Sequence, residues 1–212
     1  MIRKLLLGCG IISSLLYIAM NIFIPMLWKE YSMASQTVSE LSAIDAPTRS
    51  VWFPLGVLYA TLAAAFGLGV LDSAANNRSL KKLGIILFFN GIISLFWPPM
   101  HQRAALAAGA GTVTDTMHLI FAGVTVLFFF LSLAFGAPAL GKGFRFYSLI
   151  TIIIVALFGA LTAVDAPKVE ANLPTPLLGI WERINIGAYL LWVTVLSITL
   201  LQQKKMNLHS KT

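Results

Sequence analysis

Long apolar runs alternate with short polar turns along the whole chain. Six runs stand out, over about residues 5–28, 50–71, 83–97, 114–137, 146–164 and 176–201. None shows the every-second-residue alternation of a membrane β-strand, so the pattern argues against a barrel. In hydrocarbon each backbone N–H and C=O must be satisfied within its own segment, which makes each run a helix. Roughly 20 residues of helix cross the ~30 Å apolar core of a bilayer. The pattern therefore predicts an all-α, polytopic membrane protein, a six-transmembrane-helix bundle forming one domain over residues 1–212.

Composition agrees. The 212 residues are 58% hydrophobic and 11% charged, against about 25% charged in a soluble domain. The first run follows Met1-Ile2-Arg3-Lys4 and continues to Trp28. That exceeds the roughly 7–15 apolar residues of a signal peptide, so the run reads as a span. Cys9 reads as a small apolar residue inside it. A single cysteine excludes an internal disulfide.

The net charge of +7 changes little about partners. The basic residues bracket the spans instead of forming a basic face, which argues for no nucleic acid and for a bilayer partner. One side collects Arg3, Lys4, Arg78, Lys81, Lys82, Lys142, Arg145, Lys204, Lys205 and Lys211; the other holds Lys29, Arg49, Arg103, Lys168 and Arg183. This ten-to-five split predicts both termini in the cytoplasm. His209, in the basic tail, reads as solvated. Among the acids only Asp72 falls on the inner side. Glu30, Glu40, Asp45, Asp115, Asp165, Glu170 and Glu182 all fall outside, which points to an outward polar site.

Trp28, Tyr31, Trp52, Trp97 and Trp181 sit near outer helix ends, as an aromatic belt would. Gly67, Gly69, Gly123, Gly159 and Gly187 read as close-packing positions, and Asn21 and Asn90 as interhelical hydrogen-bonding groups. Asp45 and Asp165 each precede an Ala-Pro and read as helix caps.

Candidate chemistry lies at the outer ends. Asp115 and His118, three apart at the start of the fourth run, share a helix face. A carboxylate there would fix the imidazole's tautomer for proton transfer or metal ligation. Glu182 and Arg183 lie one to two turns inside the sixth run. They point about 100° apart, so each needs a partner from another segment, with Asp115, Glu40 and His118 the candidates. His101 follows Pro98-Pro99, and with His118 and the acids it offers donors for a divalent metal such as zinc. Thr37-x-x-Glu40 fits a capping box, or a short turn that holds Ser39 and Glu40 over the bundle.

Taken together, Tyr31-Ser32, Thr37-x-Ser39-Glu40-Leu41, His101, Asp115-x-x-His118 and Glu182-Arg183 resemble the domain-of-unknown-function 998 family of six-helix bacterial and archaeal membrane proteins. The layout is also loosely similar to the Frag1/DRAM/Sfk1 membrane proteins. The resemblance implies a six-helix bundle in a prokaryotic inner (plasma) membrane and no established activity.

Three functions compete. The first is binding or sensing of a lipid headgroup or small polar ligand, with Glu40, Arg103, Glu182 and Arg183 as binding residues. The second is a membrane hydrolase acting on a lipid ester or amide. It would use Asp115 and His118 with either Ser39 as nucleophile or a metal on His101 and His118. The third is a proton-coupled transporter. Mixed charge without a catalytic signature puts binding first.

Overall fold

The structure, a computed structural model, describes the backbone of residues 1–209 and the side chains of residues 1–203. The side chains of Lys204, Lys205, His209 and Lys211 lie outside the described residues. Seven helices occur among the described residues: α1 (Ile2–Phe23), α2 (Arg49–Asp72), α3 (Arg78–Ser94), α4 (Arg103–Ala107), α5 (Val113–Gly136), α6 (Lys142–Glu170) and α7 (Leu178–His209). Five of them, α1 with its continuation to Leu27 and α2, α5, α6 and α7, are long and apolar enough to cross a membrane.

The six longer helices close a ring in chain order, each packed on its neighbours and α7 returning to α1. Every junction is antiparallel. Ser14 Oγ donates to Leu190 O and Ser197 Oγ to Leu7 O, which aligns α1 against α7. Asn185 Nδ2 donates to Val155 O and Trp192 Nε1 to Ser148 Oγ, which aligns α7 against α6. The start of α1 and the end of α7 therefore lie at one end of the ring, the terminal end. The connections 24–48, 95–112 and 171–177 lie at the other, the loop end. Large apolar side chains such as Ile12, Phe53, Ile153 and Leu157 face outward from the helices, as a lipid solvent requires.

Several sequence boundaries shift, that of α3 among them: it runs over Arg78–Ser94 instead of about 83–97, so Arg78, Lys81 and Lys82 lie in its first turns. α1 ends at Phe23, and Ile24–Leu27 continues as a 3-10 turn that Pro25 starts, because proline offers no N–H to an α-helical bond. α6 runs on through Pro167 to Glu170, beyond the expected end at 164. Asp165 is consequently no cap. It lies buried inside α6 and pairs with Lys168 Nζ at 2.6 Å, one turn on. The Gly/Ala-rich stretch read as a plain connection carries the short helix α4.

α3 has only 17 residues. Its backbone lies against α2 at two glycines: a Cβ on Gly84 would meet Leu71 Cα at 2.7 Å, and one on Gly91 would meet Ala64 Cα at 2.7 Å. By that register Ser94 is level with about Thr61, so about 18 Å of α2 extends beyond α3 at 1.5 Å rise per residue. An extended segment from Pro98 completes the climb: Ile44 N donates to Met100 O at 2.7 Å, and Ile44 and His101 form a parallel bridge. Two successive prolines suit this extended stretch, since proline cannot continue a helix.

The main core fills the terminal half of the ring. Phe66, Leu83, Leu133, Val155, Trp192 and Leu196 are all at most 1% exposed. Phe129 stacks on Tyr189 with ring centroids 3.7 Å apart, and Trp192 lies beside Tyr189.

Candidate functional site

The loop end is closed by the segment between α1 and α2. Thr37 begins a 3-10 turn, Val38–Ser42, through the predicted capping box: Glu40 N donates to Thr37 Oγ1, and Thr37 N donates to Glu40 Oε2 at 2.7 Å. The turn buries Glu40 at 1% exposure. Its carboxylate meets Arg103 of α4 bidentately, with Nε and Nη2 both at 2.8 Å. Gln36 Nε2 and Thr37 Oγ1 also donate to it. Arg103 reaches on to Thr175 Oγ1 and Ser35 O. Three connections are thereby tied at one ion pair.

α7 ties the same segment from its first turns. Arg183 Nη1 donates to the carbonyls of Met33, Gln36 and Gly179, and Nη2 to Tyr31 Oη at 2.7 Å. Tyr31 donates in turn to Thr37 O at 2.7 Å. Burial pushes the Tyr31 phenol above its ordinary range although Arg183 pulls the other way, so it stays a donor. Glu182 Oε2 accepts from Val38 N at 2.6 Å. The need of Glu182 and Arg183 for partners outside α7 is met, but by the backbone and Tyr31 of the loop instead of Glu40, Asp115 or His118.

The histidines divide differently from the sequence reading. Asp115 pairs with His101, whose N donates to Oδ1 at 2.6 Å and whose Nδ1 lies 2.9 Å from Oδ2. Asp115 also caps α5 by accepting from Thr112 N. His118, one turn on and 4% exposed, donates Nδ1 to Pro98 O at 2.8 Å and packs edge-on against Trp97. It steadies the extended segment. Ser39 Oγ makes no hydrogen bond with either histidine among the described residues. Among those residues no cluster of three His, Cys, Asp or Glu side chains is placed to hold a metal ion.

Beneath this roof the ring is hollow. A cavity of about 570 Å³ lies between α2, α3, α5, α6 and α7, with Val38, Ser39 and Ser42 above it and Phe129 at its floor. The wall is mostly apolar: Trp52, Val57, Leu119 and Ile186 are typical. Glu182 is the one acid and Arg49 the one base among its lining residues. Arg49 Nη1 is engaged by Ser42 O at 2.6 Å, whereas Glu182 Oε1 accepts no hydrogen bond among the described residues. Deeper down, Asn90 and Thr125 belong to the same wall, and Asn90 Oδ1 and Thr125 Oγ1 are buried without a partner. Sequence reasoning passed over Thr125 and assigned Asn90 to interhelical bonding. The sequence marks neither as a wall position, because what matters is the gap beside it.

Gly123 and Gly159 also line the cavity. A Cβ on Gly123 would meet nothing within 4 Å, and the same holds at Gly187, so neither glycine mediates close packing. Gly67 and Gly69 do, with Phe88 and Leu6–Leu7 against them.

Fold and site thus define a multi-pass helical membrane protein with a roofed cavity in one half of its ring. The profile of the family described as "Protein of unknown function (DUF998)" matches residues 11–199, and the chain belongs to that family. No curated protein and no solved structure matches it.

Proposed function

We propose that the chain binds an amphiphile in the central cavity, its apolar body among the ring helices and its polar head at Glu182. The observation that carries this reading is the set of unengaged polar atoms on residues that wall an apolar hollow: Asn90 Oδ1, Thr125 Oγ1 and the free oxygen of Glu182. A buried polar atom without a partner costs about 1–3 kcal/mol. A ligand that donates to the two acceptors recovers that cost, and small-molecule sites are built this way, with few polar groups in an apolar wall. The head is a hydrogen-bond donor, an ammonium or hydroxyl, because the unengaged head-level group is a carboxylate.

Of the charged groups first read as ligand-binding, Glu40, Arg103 and Arg183 act in this proposal as the frame of the roof. The packed terminal half, with Trp192 and the Phe129–Tyr189 stack, favours a binding cup over a transport path. A serine or metal hydrolase gains no support from a histidine pair committed to Asp115 and Pro98 O.

Gly123→Leu adds a side chain at the cavity wall, where its Cβ meets nothing within 4 Å. We expect it to remove amphiphile that copurifies in mild detergent, read as bound mass by native mass spectrometry, at least tenfold. Glu182→Gln should weaken retention of an ammonium-headed species roughly 10–100-fold, since hydrogen bonds to charged groups contribute about 1.5–3 kcal/mol. Unchanged bound mass in both variants would sink the proposal.

The proposal includes six crossings, with α3 and the extended segment after it forming the third, and both termini in the cytoplasm of a prokaryotic cell. In a Cys9→Ser background, Asn172→Cys should react with a membrane-impermeant thiol reagent on intact cells and Asn76→Cys should not. The reverse labelling pattern would invert the orientation, and labelling of both would break the six-crossing count.

A further inference from the structure

A second, smaller hollow lies on the far side of the α1–α7 seam. Tyr17 and Ile186 line both it and the central cavity, and so separate the two. It has a volume of about 190 Å³. Ile18, Ile22 and Leu190 give it an apolar wall. Ile18 and Ile22 are 40% and 44% exposed, which turns the groove toward the surrounding lipid. Gly187 leaves its middle open, since a Cβ there would meet nothing within 4 Å.

Its polar end is incomplete. The α1–α7 register set by Ser14 with Leu190 and Leu7 with Ser197 brings Asn21 opposite Arg183. Asn21 Nδ2 donates to Tyr17 O at 3.0 Å within its own helix, and its Oδ1 is buried without a partner. The two terminal nitrogens of Arg183 are engaged by the roof, yet Nε is buried without a partner. Among the described residues no carboxylate lies within ion-pair distance of this guanidinium. One charged donor and one acceptor therefore lie buried just behind the head of a lipid-exposed apolar groove, and both lack partners. A charge at this depth is costly unless an opposite charge joins it.

We propose that the groove binds an anionic glycerophospholipid. Entry of the head parts the side chains that cover the two atoms; a phosphate oxygen then accepts from Arg183 Nε, a headgroup hydroxyl donates to Asn21 Oδ1, and an acyl chain lies along Ile18, Ile22 and Leu190 over Gly187. Phosphatidylglycerol offers both an anion and a hydroxyl. Phosphatidylmethanol offers the anion alone, and phosphatidylcholine neither a net charge nor a donor. This site is separate from the central cavity and does not depend on it.

The test is titration of the detergent-solubilised full chain with these three lipids, read by native mass spectrometry. The wild type should retain phosphatidylglycerol about tenfold more strongly than phosphatidylmethanol, and phosphatidylmethanol more strongly than phosphatidylcholine. Asn21→Ala should bring phosphatidylglycerol down to the level of phosphatidylmethanol. Gly187→Leu should abolish retention of both anionic lipids while leaving the thermal transition in place. Equal retention in Gly187→Leu, or a hydroxyl preference that survives Asn21→Ala, would overturn the assignment.

Discussion

Glu40→Ala is expected to destabilise the detergent-solubilised protein by about 3–5 kcal/mol, because it strands a buried guanidinium. For a chain of this size that lowers the thermal transition by roughly 10 °C. The reasoning rests on burial. Side-chain exposure is 2% for Glu40 and 17% for Arg103, so little water replaces the lost carboxylate. The same change removes the acceptor of Thr37 N and Thr37 Oγ1 and so loosens the roof turn itself. Replacing both partners, Glu40→Leu with Arg103→Leu, should cost less than Glu40→Ala alone, since no charge is then left buried. Scanning fluorimetry on the variants checks this. A single variant within about 0.5 kcal/mol of wild type would place Glu40 among unimportant surface charges.

Gly67→Ala should be as damaging by a different route. Its Cβ would lie 2.6 Å from Phe88 Cα. The obstacle is backbone, so no rotamer change relieves it and α3 must move off α2. Overpacking against side chains costs about 1–3 kcal/mol; here we expect the upper end or beyond, with loss of monodisperse protein on size exclusion. Gly123→Ala and Gly187→Ala should be neutral or slightly stabilising, because alanine gains up to about 1 kcal/mol over glycine in a helix and meets nothing at either position. Equal behaviour of all three variants would refute the packing argument.

These glycines show where sequence reading stops. All of them look alike in an apolar run, yet Gly67 and Gly69 hold helices together while Gly123 and Gly187 open space, and only the neighbouring helix decides which. The five long apolar helices were legible because lipid imposes one length and one composition on each. The capping box at Thr37 and Glu40 was legible because its partners are three residues apart. The requirement of Glu182 and Arg183 for outside partners was legible from the cost of charge at depth. The partners themselves were not, because the carbonyls of Met33 and Gln36 and the N–H of Val38 are groups that almost every residue possesses. Asp115 illustrates the opposite hazard. His118 sits at the right helical spacing, but His101 arrives on the extended segment with both its backbone N–H and its ring directed at the same carboxylate. Glu40 and Arg103 were each singled out as reaching for ligand, and instead they satisfy one another across 63 residues of chain.

The brevity of α3 also bears on how the protein is made. Its 17 residues open with Arg78, Lys81 and Lys82 and carry Asn90 near the far end, so a nascent α3 partitions poorly from the translocon into lipid by itself. α2, which precedes it, is long and apolar. Gly67, Gly84 and Gly91 let the two backbones meet along most of the length of α3. On the six-crossing proposal the natural unit of insertion is therefore the α2–α3 hairpin, with His118 of α5 holding the Pro98–Pro99 segment in place.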